Sequence, residues 1–264
     1  MTRVLKLSYG LLAYMIFLVT ILYAVGFTCG GIVPKAIDDG KIAGDIEAIG
    51  INLFLLAVFA IQHSVMARPA FKRWWMSIIP HAVERSTYVL LASLSLALLF
   101  WQWRPMPAPI WSLSGASATA VVSLFWAGWG LAVLSTFLIS HFDLFGIRQV
   151  LAEWTGTAVS SMEFKTPFLY KLVRHPIYLG FIIAFWAAPV MSNGHLLFSA
   201  GMTIYILIGI HLEERDLVDY FGADYSSYCQ RVGMLIPSLR FWRSESHPES
   251  KRSLEGSTRP PTDR

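Results

Sequence analysis

The chain alternates between long apolar stretches and short polar connections. Four stretches of about 20 residues are predominantly apolar, at positions 9–27, 49–66, 87–103 and 118–139, and each is long enough to cross a bilayer as a helix. A fifth apolar region, 177–210, is too long for one span and contains a turn-like Met-Ser-Asn-Gly sequence. The pattern predicts an all-α integral membrane protein with four transmembrane helices and a carboxy-terminal helical hairpin. This arrangement crosses the membrane six times, or five if one short arm is re-entrant.

Positive charge is distributed unevenly between the connections. Alternate connections, counted together with the amino terminus, hold most of the Lys and Arg residues that precede the carboxy-terminal region: Arg3, Lys6, Arg68, Lys72, Arg73, Arg85, Arg148, Lys165, Lys171 and Arg174. The remaining connections hold Lys35, Lys41 and Arg104. Because basic connections stay in the cytoplasm, both termini are predicted to be cytoplasmic.

The composition narrows the class of protein. Hydrophobic residues make up 55% of the 264 residues and charged residues 14%, whereas about 25% of residues are charged in a soluble domain. Two cysteines, Cys29 and Cys229, are too few for a disulfide framework or a four-thiolate zinc site. The net charge of +4 lies in short connections, so no nucleic-acid-binding surface is predicted. We expect one transmembrane domain over 1–242, followed by a disordered cytoplasmic tail over the polar, Pro/Ser-rich residues 243–264.

The histidines do not form a metal-binding pattern. All seven stand apart, without an H-x-x-H or H-x-x-x-H pair. His211 and Glu214 form a single i, i+3 pair, whereas a di-iron bundle needs two such pairs and further carboxylates. The nucleophile motif G-x-S-x-G and the phosphate-binding P-loop are also missing from the sequence. No bound metal is therefore expected.

The most specific pattern lies near the carboxy end, where RHPIYLG at 174–180 precedes the hairpin and HLEER at 211–215 follows it. Pro176 favours a helix that begins just after His175, so Arg174 and His175 stand beside the free N–H groups at a helix start. Such a position binds carboxylates. Glu213 and Glu214 emerge close by at the end of the hairpin. The two sides of the hairpin together could bind a zwitterion.

A second helical pattern follows the hairpin. Leu217, Phe221, Tyr225 and Tyr228 recur at intervals of four, four and three residues. This spacing places them on one face of an amphipathic helix. We therefore expect an interfacial amphipathic helix that lies along the bilayer surface.

The R-H-P-x-Y-x-G motif, the hairpin, the Glu pair and the F-G-x-x-Y-x-x-Y motif resemble the carboxy-terminal signature of membrane methyltransferases of the isoprenylcysteine carboxyl methyltransferase type. The resemblance covers residues 174–237 and implies binding of S-adenosylmethionine (SAM). It assigns cofactor binding to Arg174, His175, Tyr178, Gly180, Glu213, Glu214, Tyr225 and Tyr228. A similar pattern occurs in membrane sterol reductases, which bind NADPH, so the motif alone leaves the cofactor open.

The rest of the chain narrows this choice. The sequences IQHSVMARPAFKRWW at 61–75, ERSTYVL at 84–90 and SHFDLFGIRQV at 140–150 are similar to those of bacterial methanethiol S-methyltransferases. This resemblance implies a bacterial inner-membrane enzyme that transfers a methyl group from SAM to methanethiol, giving dimethyl sulfide. Three alternatives stay open: a methyltransferase for a larger lipid or prenyl-thiol, an NADPH-linked membrane reductase, and a non-catalytic accessory protein.

Methylation of a thiol needs a group that favours the thiolate, because a small alkanethiol is protonated at neutral pH. His141 and His63 are the candidate bases, since each ends an apolar stretch on the predicted cytoplasmic side. Asp143 could orient His141, and Arg148 could stabilise the anion. We rank His141 slightly above His63 and expect a buried apolar cavity for the thiol.

Overall fold

Five long apolar helices form the body of the protein. The computed structural model describes residues 2–158 and 164–238, and the predicted tail at 243–264 lies outside these ranges. Each long helix has at least 22 residues, or about 33 Å, which is enough to cross the hydrocarbon core. Within the described ranges the long helices are α1 (Arg3–Cys29), α2 (Asp45–Ala67), α4 (His81–Gln102), α5 (Gly115–Ile139) and α9 (Asn193–Phe221). The chain is a multi-pass membrane protein.

Shorter elements connect and flank the long helices. They are α3 (Pro69–Trp75), α6 (His141–Leu144), α7 (Ile147–Thr155), a single 3₁₀ turn (Phe168–Lys171), α8 (Pro176–Trp186), α10 (Ala223–Arg231) and the antiparallel strands β1 (Pro109–Ser112) and β2 (Val190–Ser192). The amphipathic helix predicted after the hairpin divides between the end of α9 and α10. Gly222, which has a φ of 59°, separates the two helices.

The hairpin differs from its prediction. Its first arm, α8, has 11 residues and is about 16 Å long, but its second arm, α9, has 29 residues. The prediction of four spans and two short arms is therefore wrong for α9, which is a full-length fifth span. The helix continues past the last apolar residues through the charged sequence 211–216, so hydropathy alone underestimates its length.

The end of α8 leaves backbone groups that the bilayer cannot satisfy. The carbonyl of Phe185 accepts hydrogen bonds from His195 (2.9 Å) and Ser199 (2.6 Å), both on α9. The carbonyl of Ala188 accepts one from the indole of Trp111 (3.1 Å), next to the β1–β2 pair. Side chains of neighbouring elements thus complete the crossing that the short helix begins.

Both described ends of the chain lie at one face, which we call the terminal face, where α1 begins and α9 ends. Lys6 at the start of α1 pairs with Glu153 of α7 at 2.6 Å. Arg68, after the end of α2, donates to the carbonyl of Leu212 on α9 at 3.1 Å. The opposite face carries the β1–β2 pair and the connections between α1 and α2 and between α4 and α5.

An aromatic core lies towards the opposite face, where Phe27, Trp103 and Phe198 are completely buried and their rings meet edge to face at 5.8 to 6.2 Å. Buried polar side chains occur towards both faces: Thr28, Asn52, Ser192, His195 and Ser199 lie towards the opposite face, and Ser86, Ser135, Thr136, His141 and His175 towards the terminal face. The candidate site residues His141 and His175 belong to the second group.

Small residues bring α5 and α8 into close contact. A Cβ atom added to Gly180 would lie 2.6 Å from the backbone nitrogen of Ala132, and one added to Gly128 would lie 2.7 Å from that of Ala184. Helices in lipid associate through such small-residue faces, because their backbones can then pack directly. Gly180, which the family resemblance assigns to cofactor binding, faces α5 and serves this packing. This packing accounts for a glycine at position 180, and its assignment to cofactor binding stays a prediction.

We expect Gly128→Ala to destabilise the protein by about 1 to 3 kcal/mol, because its methyl group would overlap the backbone of α8. Gly130→Ala is the matched control, since Gly130 lies on the same helix and an added Cβ meets nothing within 4 Å. The difference is measured by heating both variants in detergent and recording the temperature at which half of the monodisperse protein is lost. Equal midpoints would contradict the packing.

Candidate active site

The start of α8 is the local feature that builds the site. His175 precedes the helix, and Pro176 occupies its first position. Just before it, the backbone nitrogens of Arg174 and His175 donate to the carbonyls of Gly233 (2.9 Å) and Met234 (3.2 Å). The segment after α10 is therefore held directly beside the amino-terminal end of α8.

Four residues form what we call the charged clamp: Arg174, His175, Glu213 and Glu214. Arg174 Nε donates to Glu214 Oε1 at 2.7 Å, and His175 Nε2 lies 2.9 Å from the same oxygen. The clamp thus joins the start of α8 to the end of α9. The prediction that the RHP motif and the Glu pair lie together is confirmed by these contacts.

Arg174 also anchors the carboxy-terminal segment. Its Nη1 atom donates to the carbonyls of Cys229 (3.1 Å) and Val232 (2.6 Å). Burial disfavours the charged guanidinium, but the hydrogen bond and charge of Glu214 outweigh burial and raise the pKa of Arg174 above its ordinary value. Arg174 therefore remains charged at the mouth of α8.

Glu213 differs from its neighbour in accessibility. Its side chain is 43% exposed, compared with 22% for Glu214. The hydroxyl of Tyr178 donates to Glu213 Oε2 at 2.8 Å, and His175 Nδ1 lies 4.0 Å from that oxygen. Glu213 is thus the clamp carboxylate that an external cation can reach.

Tyr225 and Tyr228 on α10 lie next to the clamp. Both are buried, together with Val232, in a small cluster beneath α10. The hydroxyl of Tyr228 donates to the carbonyl of Tyr170, whose own hydroxyl donates to the carbonyl of Ser135 at 3.2 Å. Burial raises the pKa of Tyr225 and of Tyr228. Their contacts are those of packing residues, although the family resemblance assigns both to cofactor binding.

His63 lies near the clamp, one turn before the end of α2. Its Nε2 atom is 2.6 Å from the hydroxyl of Tyr88 on α4, and the guanidinium of Arg85 lies 5.0 Å above the Tyr88 ring. Its Nδ1 atom is buried and has no hydrogen-bond partner within residues 2–158 and 164–238. A buried polar atom without a partner is costly, so this atom marks a place where a ligand could bind.

Tyr205 connects His63 to the clamp, and sequence reasoning missed it. Its ring meets that of His63 edge to face at 6.1 Å, and electrostatic interactions link it to Tyr88, Tyr178 and Glu213. Tyr205 lies eight residues before Glu213, which places both on one face of α9 and Tyr205 about 12 Å deeper. The eight-residue spacing from Glu213 is the signal in the sequence that could have identified Tyr205, but Tyr205 lies within an apolar stretch that is read as a membrane span.

His141 lies in a different environment. Its Nε2 atom is 2.8 Å from the hydroxyl of Tyr14, and its Nδ1 atom is 2.8 Å from the hydroxyl of Thr136. The ring of Phe137 stacks on it at 4.1 Å. Burial lowers the pKa of His141. Both of its ring nitrogens are therefore occupied by neutral hydroxyl groups.

Asp143 does not orient His141, so that part of the prediction is wrong. The carboxylate of Asp143 accepts from Ser140 at 2.7 Å and pairs with Arg148 at 2.5 Å. The physical reason is the short helix α6, in which residues two apart point in different directions. Asp143 and Arg148 form a salt bridge that is partly exposed to solvent.

Two cavities lie away from the clamp. A groove of about 500 Å³ between α5, α8 and β1 is lined by apolar residues that include Trp111, Ile182 and Trp186. A smaller polar pocket of about 250 Å³ lies at the start of α4. Neither of these two cavities is lined by His63 or by a clamp residue. Over the described residues, no group of three or more potential ligands could hold a metal.

Comparisons with known proteins show which proteins this chain resembles over most of its length. The chain is 58% identical over 236 residues to methanethiol S-methyltransferase 1 of Bradyrhizobium diazoefficiens, covering 89% of this chain and 81% of the relative. It is 50% identical over 238 residues to methanethiol S-methyltransferase of Mycobacterium tuberculosis, covering 90% and 98%. Nurim of Xenopus laevis is 31% identical over 64% of this chain and 62% of that protein. No protein-family model and no solved structure matches the chain.

The apolar helices and these relatives define a membrane methyltransferase, an enzyme that needs a methyl donor. Identity of 50% or more extends over most of the chain and of the relatives. The chain belongs to the methanethiol S-methyltransferase family.

We expect Arg174→Gln to destabilise the protein by about 1.5 to 3 kcal/mol, because a charge-assisted hydrogen bond is lost and Glu214 keeps only His175. Residues 232–238 should become accessible to chymotrypsin at the same time. Arg231→Gln is the control, since the Arg231 side chain donates to the exposed carbonyl of Ser227 and its contact with Ser238 is made by the backbone. Thermal unfolding and the rate of chymotrypsin cleavage test both effects. Wild-type behaviour of the Arg174 variant would mean that Arg174 is not an anchor.

Proposed function

We propose that the protein transfers a methyl group from SAM to methanethiol, giving dimethyl sulfide and S-adenosylhomocysteine. The observation that carries this proposal is the charged clamp beside the cluster of His63, Tyr88 and Tyr205. A receptor for a charged donor and an aromatic site for a small thiol then lie next to each other. The family relationship supports the same reaction, because the named relatives act on methanethiol.

The clamp has the chemical groups that the amino-acid end of SAM requires. An α-ammonium group needs an accessible carboxylate, and Glu213 is half-exposed and held in place by Tyr178. A carboxylate needs N–H donors, which the start of α8 and the Nη2 atom of Arg174 can supply. His175 lies between the two sides, within 4.0 Å of Glu213 and 2.9 Å of Glu214. These residues fit SAM by charge and by spacing.

SAM, when bound, supplies a methyl group on a positively charged sulfur. The ring of Tyr178 lies beside Glu213, and that of Tyr205 lies deeper, next to His63. An aromatic ring that faces such a cation contributes about 0.5 to 2 kcal/mol. The protein's main contribution is then to hold the two sulfur atoms in line on either side of the methyl group.

Of the residues predicted for the thiol step, His63 is the best placed. Tyr88 binds its ring, and the charge of Glu213 acts on Tyr88. His141 is bound to Tyr14 and Thr136, and Asp143 is paired with Arg148, so these residues lie in a separate group. We therefore assign the thiol step to His63 and a structural role to His141, Asp143 and Arg148.

The basic residues support one orientation in the membrane. Arg68, Lys72, Arg85 and Arg174 lie at the terminal face, and the positive-inside rule assigns that face to the cytoplasm. We propose a bacterial inner-membrane enzyme with both termini in the cytoplasm. SAM would then enter the clamp from the cytoplasm, and the volatile thiol from the bilayer.

Purified protein supplied with SAM and methanethiol should release dimethyl sulfide, detected by gas chromatography of the headspace. Glu213→Gln should weaken SAM binding by about 10- to 150-fold, which corresponds to the loss of a charged hydrogen bond. Glu47→Gln is the control, since Glu47 is exposed at the opposite end of α2. Isothermal titration with SAM measures the affinity. Absence of dimethyl sulfide from wild-type protein that binds SAM would overturn the substrate assignment, and equal affinities would overturn the role of Glu213.

A further inference from the structure

The surroundings of His63 are aromatic on three sides. Its ring lies 4.9 Å from that of Tyr88, 5.4 Å from that of Phe59 and 6.1 Å from that of Tyr205. Phe59 and Tyr205 also meet each other edge to face at 5.4 Å. These rings offer apolar surface for a methyl group and no charged group for a charged substituent. The cluster therefore suits a small, neutral alkanethiol.

The hydrogen bond to Tyr88 controls which ring nitrogen is free. When Nε2 carries the proton and donates to the Tyr88 oxygen, Nδ1 presents a lone pair. Over the described residues that atom has no donor to accept from, although it is buried. A thiol S–H group is a donor that fits such a site. The form of His63 in which Tyr88 accepts from Nε2 is the form that can accept a proton at Nδ1.

A positive charge near His63 favours one product of proton transfer. Arg85, over the Tyr88 ring, can stabilise a thiolate, whereas its charge and the burial of the ring disfavour a lasting imidazolium at His63. The titratable and charged groups that face His63 are Tyr88 and Arg85 on α4 and Tyr205 on α9, and the groups around these two tyrosines are Glu84 on α4, Glu213 on α9, Tyr178 on α8 and Arg68 between α2 and α3.

We propose that methanethiol binds between His63, Tyr88 and Tyr205, and that His63 Nδ1 accepts the thiol proton while Tyr88 positions the ring. This inference rests on the proposed function. The S–H bond breaks, its proton moves to Nδ1, and its electron pair stays on the sulfur. The thiolate sulfur then forms a bond to the transferred methyl group as that group's bond to the donor sulfur breaks. The proton on His63 returns to solvent. His63 is the catalytic residue and Tyr88 a positioning residue.

The first experiment compares His63→Gln, Tyr88→Phe and Tyr14→Phe in headspace assays of dimethyl sulfide. His63→Gln should lower kcat by about 10²- to 10⁴-fold, the usual effect of removing a general base, with SAM affinity unchanged. Its rate should rise about tenfold per pH unit, because more thiol arrives as thiolate. Tyr88→Phe should lower kcat by about two- to tenfold, as expected for one hydrogen bond. Tyr14→Phe removes the equivalent bond to His141 and should change kcat little.

The second experiment measures the thiolate itself. Enzyme saturated with S-adenosylhomocysteine is mixed with methanethiol at neutral pH, and ultraviolet difference absorbance reports the bound thiolate. Wild-type protein and Tyr14→Phe should show the thiolate signal, and His63→Gln should not. This readout does not depend on turnover, and Tyr88→Phe keeps the test valid if His63→Gln fails to fold, because the signal should then fall in Tyr88→Phe.

The outcomes separate this inference from the proposed function. If wild-type protein makes dimethyl sulfide but His63→Gln keeps its rate and its thiolate signal, the thiol site is wrong and the methylation reaction stands. If His141→Gln loses the thiolate signal instead, the base is His141. If wild-type protein gives the thiolate signal but no dimethyl sulfide, the methylation reaction is wrong and the thiol site stands.

Discussion

The ion pair between Arg174 and Glu214 is the interaction on which the site depends. Its partners lie 40 residues apart, one just before α8 and one near the end of α9. Arg174 also bonds to the carbonyls of Cys229 and Val232, so one guanidinium fixes the hairpin and the segment that follows α10. Glu214 is thereby occupied, and Glu213 is left to face outwards. The pair thus divides the two neighbouring carboxylates into one that holds the fold and one that can meet a ligand.

A similar division separates the two candidate bases, His63 and His141. Each is bonded to a tyrosine hydroxyl, His63 to Tyr88 and His141 to Tyr14. His141 has a second partner, Thr136, and a stacked phenylalanine, whereas the second nitrogen of His63 has no partner among the described residues. The incompletely bonded histidine is also the one whose tyrosine is reached by the charge of Glu213. The position of His63 and its unbonded Nδ1 atom therefore favour the same residue as the base.

Much of this arrangement was predictable from the sequence, because hydropathy defines spans and a compound motif brings Arg174 and Glu214 together. The parts of the site that the sequence did not predict depended on the directions in which side chains point. Gly180 has no side chain to show whether a ligand or another helix approaches it, and the structure places α5 there. Asp143 is close to His141 in sequence but bonds elsewhere, because residues two apart in a helical turn diverge. The pairing of His63 with Tyr88 depends on the relative register of α2 and α4, which hydrophobic periodicity does not specify.

The short length of α8 has a consequence for how the protein enters the membrane. With 11 residues, the helix is too short to be inserted as an independent span, and α9, which carries His195 and Ser199 to the exposed carbonyl of Phe185, is synthesised after it. The two helices must therefore be inserted as one unit against an α5 that is already in place. Ribosomes must translate through Glu214 before Arg174 and His175 can meet their carboxylate partner, so the charged clamp forms only as α9 is completed.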